Sequence, residues 1–113
     1  MYDVEIDKTP HEDLIRSLAL KRIACLFNVA VESLSLDARF GTDLHAKPRS
    51  FFRDNEFDEI EGDIMDVADR KLRNKMGRGE YQIFTVGNYC EHMVRCYSLR
   101  PKVVEQILGL TNV

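Results

Sequence analysis

The sequence predicts an all-α fold, a small helical bundle, on three observations. Apolar residues recur at helical spacing in several separate segments. Glycine and proline are sparse, with 6 and 3 copies, and fall mostly between those segments. Only Tyr2, Val4 and Ile6 alternate as a short strand or ordered arm would, and they have no second strand to join. At 113 residues the chain has the size of one domain. It is read as a single unit, 1–113, with a core at 9–97, an N-terminal arm at 1–8 and a C-terminal extension at 98–113.

The first helix has a start signal at Thr9, which can cap. Pro10 suits the first helical position and Glu12 completes a capping-box spacing. Leu14, Ile15, Leu18, Ala19, Ile23, Leu26 and Phe27 then form one stripe, which predicts a helix to about Asn28. The stretch VAVESLSLDARFGTDLHAKPRS follows, with Val29, Val31, Leu34, Leu36, Phe40 and Leu44 at irregular spacing. It is too apolar for a linker, so it should pack over the core with short helical turns inside it. Asp37 and Thr42 are its turn formers, and Pro48 closes it.

Phe57, Ile60, Ile64, Val67, Ala68, Leu72 and Met76 predict one long second helix, ending at Gly77-Arg78-Gly79. Thr85 then caps a helix carrying Val86, Tyr89, Cys90, Met93, Val94 and Tyr97. Pro101 opens a last short helix with Val103, Val104, Ile107 and Leu108 on its apolar side, stopped at Gly109. That side needs cover, from the two terminal additions completing the monomer or from a homodimer through the C-terminal helix.

Charge is sharply divided along the second helix. Asp54, Glu56, Asp58, Glu59, Glu61, Asp63, Asp66 and Asp69 come with no base among them, and Arg70, Lys71, Arg73, Lys75 and Arg78 follow at once. Acids early and bases late complement a helix dipole, which accounts for the polarity. So many acids on one segment repel each other, and the functional reading is a face for a basic protein partner formed by Asp54, Glu56, Asp58, Glu59, Glu61, Asp63 and Asp66. The net charge of -3 therefore averages two opposed blocks. Nucleic acid is not an expected partner, because the acids oppose attraction to a phosphate backbone. Tyr81 and Phe84 are expected as core or loop anchors.

Other chemistries find little support. Asp54-x-Glu56-x-Asp58 alternates like a calcium loop, but Glu59 stands where a glycine is needed and Met65 where a bidentate glutamate is needed. His11, His45 and His92 are dispersed, none is read as half of an i, i+4 ligand pair, and no zinc site is expected. Cys25 and Cys90 fall on apolar stripes as packed thiols, Cys96 is expected partly exposed, and Cys90 and His92 cannot face each other two residues apart on a helix. No acid-base pair or activated nucleophile assembles, so enzymatic activity is not expected. No apolar run reaches the roughly 18 residues of a membrane span, and the acidic start lacks a signal-peptide layout. Cytoplasmic location with reduced thiols is the expectation.

Three stretches resemble the acyl carrier protein family: RIACLFNVAVESLSLDARFGTDL, FDEIEGDIMDVADRKL and TVGNYCEHMV. The resemblance implies a four-helix carrier bundle with a long first loop, here with an extra C-terminal helix. It implies docking of the acidic second helix on enzymes of acyl or lipid metabolism or on a regulatory complex. Carriers attach 4'-phosphopantetheine to the serine of an Asp-Ser-Leu motif. Here Asp58-Glu59-Ile60 puts a glutamate in that place, and no cofactor is expected. The alternative is a working carrier in fatty-acid, lipid or polyketide-type synthesis, with the arm on Ser50 and the chain sheltered by Leu26, Phe40, Ile64 and Met93.

Overall fold

The computed structural model describes residues 3–45 and 55–109, with side chains described from residue 11. Asp3–Phe27 form one helix, α1. It begins ahead of Thr9 and passes through Pro10, so Asp3 to Lys8 are helix, neither arm nor strand. The same dipeptide serves both situations. Proline has a helical φ, and an interior proline removes the hydrogen bond its amide would give, at a cost of about 3 kcal/mol. The far end is as expected: Asn28 turns left-handed at φ 57, and the Val29 amide reaches back to the Ala24 carbonyl.

The connecting stretch folds onto the bundle. A 3-10 turn spans Val31–Ser33, and Leu34, Ala38, Phe40 and Leu44 pack against the core while Val29 and Leu36 stay exposed. Backbone bonds tie it to the start of the fourth helix: Phe40 N to Phe84 O, Val86 N to Ala38 O, and Gly87 N to Leu36 O. Arg39, whose amide donates to the Asp43 carboxylate, bridges to Thr85. Ser35 accepts from the Asp37 amide, making Asp37 a turn residue.

The long second helix is two helices. α2 is Glu56–Val67 and α3 is Arg70–Gly77, with Ala68 extended between them at ψ 140. Asp69 caps α3 by accepting the Leu72 amide. The break lets Val67, Ala68 and Leu72 all turn inward, each at most 3% exposed. Two arginines and a histidine take up carbonyls at the open end of α2. Arg73 Nε donates to Met65 O, Arg100 donates to Asp66 O and Ala68 O, and His92 Nε2 lies 2.9 Å from Ile64 O. α3 ends through Gly79 at φ 75, with Gly79 N to Met76 O and Glu80 N to Lys75 O.

α4 is Val86–Tyr97, started by the Thr85 and Asn88 capping box. It is the central element, packed against α1, α2 and the last helix, with Val86, Tyr89, Cys90, His92, Met93 and Cys96 buried. α5 is Pro101–Leu108, ended by Gly109 at φ 84. Its Val104 and Leu108 are buried against the bundle, where α5 meets α1, α2 and α4. Val103 and Ile107, on the same apolar side, are half-buried against the core. The described residues contain helices and two isolated bridges but no named strand. None of the described helices is long and apolar enough to cross a membrane.

Candidate functional site

The docking face expected on α2 is divided by the helix's own geometry. Ile60, Asp63 and Val67 share one side at i, i+3 and i+7, and that side is buried. Asp63 is therefore not a docking residue. Its carboxylate accepts two parallel bonds from Arg22 of α1, Nε to Oδ2 at 2.9 Å and Nη2 to Oδ1 at 3.0 Å. The Tyr89 hydroxyl of α4 adds a third at 2.7 Å. A carboxylate can be buried this way because its oxygens have charged or polar donors. Burial and the adjacent carboxylate hold the Tyr89 phenol well above its ordinary pKa, so it stays a donor.

Asp58 is committed to the start of α2, where it and Asn55 form a reciprocal capping box. Glu56 is half-buried and Glu59, though exposed, lies 3.7 Å from Arg22. Glu61 and Asp66 are exposed. Asp54 and Ser50 lie outside the described residues. The exposed acids of α2 are thus Glu59 and Asp66, seven residues apart on one flank, and Glu61 on another, with Asp63 withdrawn to hold α1, α2 and α4 together.

Glu61 borders an apolar groove of about 350 Å³, lined also by Ile64, Met65, Met76, Tyr81 and Ile83. Met65 is 41% exposed along it. Its walls come from three segments: Ile64 and Met65 of α2, Met76 of α3, and Tyr81 and Ile83 of the connection that follows. Tyr81 is half-buried, as an anchor should be, and the Arg95 guanidinium sits 5.1 Å above its ring. Phe84 is instead 47% exposed, under the Arg39 guanidinium.

Behind the groove lies a cluster that sequence reading missed. His92 is fully buried between the Ile64 carbonyl on Nε2 and the Tyr81 hydroxyl on Nδ1, both at 2.9 Å. A carbonyl can only accept, so Nε2 carries the hydrogen and Nδ1 accepts from Tyr81. Burial pushes the imidazole pKa below its ordinary value, keeping it neutral. The Cys96 sulfur is 3.7 Å from the ring. His92 and Cys96 are an i, i+4 pair, the spacing that signals a shared helix face, and this pair contradicts the reading of the histidines as isolated. Cys96 is also fully buried, contrary to its expected partial exposure.

Burial raises the Cys90 and Cys96 thiols to about 11, the opposite of an activated nucleophile. Cys25 is exposed, off the buried side that Ile15, Ala19 and Ile23 form. Among the described residues no three His, Cys, Asp or Glu side chains converge as metal ligands. Leu26, Phe40 and Ile64 are half-buried against the core cluster, in which Met93 is fully buried. The search of family models, curated proteins and solved structures returned no match to this chain.

Proposed function

We propose that this chain is a non-enzymatic, carrier-like docking domain without a phosphopantetheine arm, engaging a basic protein partner through α2. The carrying observation is that exposed Glu61 lines the apolar groove at Met65, on a helix that also exposes Glu59 and Asp66. Acids alone would steer a partner and set its orientation; an apolar cleft beside Glu61 supplies area that gains from leaving water, about 25 cal/mol per Å². The order of elements supports the carrier reading. A long α1, a long packed loop, an acidic α2, a short α3 and a Thr-capped α4 follow in the sequence that the family resemblance implies. A cytoplasmic setting and partners in acyl or lipid metabolism, or in a regulatory complex, belong to the same proposal.

The test has two parts. A basic amphipathic peptide with lysine and leucine at helical spacing, titrated into isotope-labelled protein, should shift amides of 59–66 and 76–83. Glu61→Lys and Met65→Ser should each weaken it about tenfold or more, while reversing Glu105 on α5 should not. Shifts that ignore the α2 variants sink the docking face. Separately, intact mass after incubation with a phosphopantetheinyl transferase and coenzyme A should be unchanged. A single adduct lost in Ser50→Ala would instead establish a working carrier.

A further inference from the structure

The basic block has its own concavity, on elements other than the α2 acids. A pocket of about 290 Å³ is lined by Asp69, Lys71, Leu72, Lys75, Arg95, Ser98 and Leu99. Lys71 and Lys75 are one turn apart on α3 and share a face; Arg95 comes from the last turn of α4. Among the described residues none of these cations lies within ion-pair distance of a carboxylate, whereas Arg16, Arg22 and Arg78 all do. Three positive groups gathered with Asp69 as the one carboxylate in the same pocket leave an excess of positive charge, which an anion would relieve. Arg95 is held in place by stacking over Tyr81, which leaves its N–H edge for a ligand.

The remaining walls narrow the ligand. Asp69 is the one carboxylate, and its Oδ1 is already bound to the Leu72 amide. The Ser98 hydroxyl donates to the Arg95 carbonyl, so it offers an anion no hydrogen. Leu72 is buried, but Leu99 stands 47% exposed at the pocket and presents an apolar surface. The space suits a single compact anion with a small apolar body. A polyanion such as nucleic acid would also meet a chain of net charge -3. We infer that this pocket binds a phosphate monoester, its dianionic group among Lys71, Lys75 and Arg95 and its organic part against Leu99. This inference does not depend on the α2 docking face.

Phenyl phosphate and inorganic phosphate, each titrated into the isotope-labelled full chain at constant ionic strength, test it. Saturable amide shifts are expected within 69–75 and 95–99, with phenyl phosphate the tighter probe. Lys75→Gln and Arg95→Gln should each weaken both probes roughly tenfold. Leu99→Ala should bring phenyl phosphate down to the affinity of phosphate while leaving phosphate unchanged. Shifts equal to those of chloride at the same ionic strength overturn the site, as does undiminished affinity in both cation variants. Equal affinity of the two probes for the unaltered protein overturns the ester assignment.

Discussion

The phenol of Tyr89 donates to Asp63 Oδ2 at 2.7 Å inside the bundle, while Arg22 donates to both oxygens of the same carboxylate. α4, α2 and α1 are thereby joined at one point. Removing one member of such a buried pair costs more than the pair is worth, because the partner charge is left without compensation. The Arg22 side chain is 28% exposed and can regain some water, so the cost falls at the low end of the usual range. Asp63→Ala should lose about 3 kcal/mol in urea unfolding, and Tyr89→Phe about 1–2 kcal/mol. The two losses should be non-additive in a double-variant cycle. A loss in Asp63→Ala well under 1 kcal/mol would mean that the pair is not a structural centre.

His92 predicts a pH dependence of stability. Burial holds its folded pKa below the ordinary 6.5, while the unfolded chain titrates at the ordinary value. Below that pH the unfolded state binds the extra proton first, so stability is complete above 6.5 and is lost as pH falls toward the folded pKa. The slope contributed by one proton reaches at most about 1.4 kcal/mol per pH unit. Unfolding midpoints from pH 7.5 to 5 should fall for the native sequence and fall less for His92→Gln, which can still donate to Ile64 O. Parallel curves would show that His92 takes its proton without cost.

Arg100 links α5 to the broken end of α2 through the carbonyls of Asp66 and Ala68. A cation there meets the negative end of the helix dipole as well as the carbonyls themselves. Arg100→Met keeps most of the stem and removes both contributions, for an expected loss of about 1–2 kcal/mol. Hydrogen exchange should quicken mainly in the last turn of α2 and the first of α3. Uniform acceleration across the bundle would argue that Arg100 acts on the whole fold and not on this joint.

Much of this fold is written in local chemistry that a sequence displays. Thr85 and Asn88 start α4, Pro101 and Gly109 bound α5, and both ends are where the residues place them. The break at Ala68 is not displayed, because Val67, Ala68 and Leu72 keep helical phase across it and Asp69 reads as another acid of the run. It is made by tertiary partners: Arg100, distant in sequence, takes the carbonyls that a continuous helix would have bonded internally. Asp63 misleads for a related reason. Its neighbours mark it as surface, and only the side it shares with Ile60 and Val67 marks it as buried. The His92 and Cys96 spacing was legible, whereas Tyr81 and Ile64 as ring partners were not, since neither contact has a local signature.

Two glycines in helices should respond oppositely to the same substitution. Gly62 lies in α2, exposed, with nothing within 4 Å of a Cβ built on it. Gly62→Ala should stabilise by about 0.5–1 kcal/mol, since alanine gives up less backbone freedom on folding. Gly87 lies in the first turn of α4, where its amide donates to the Leu36 carbonyl at 2.8 Å and an added Cβ would stand 3.0 Å from that same oxygen. The obstacle is backbone, and the loop carrying it is also bonded to Val86 and Phe84, so it cannot move aside without loosening those bonds. Gly87→Ala should therefore destabilise by about 1–2 kcal/mol despite the better helix former, with faster amide exchange at Phe40, Val86 and Gly87 itself. Thermal unfolding of the two variants decides it: a gain in both would show that the loop yields freely and that its seat on α4 is not tight.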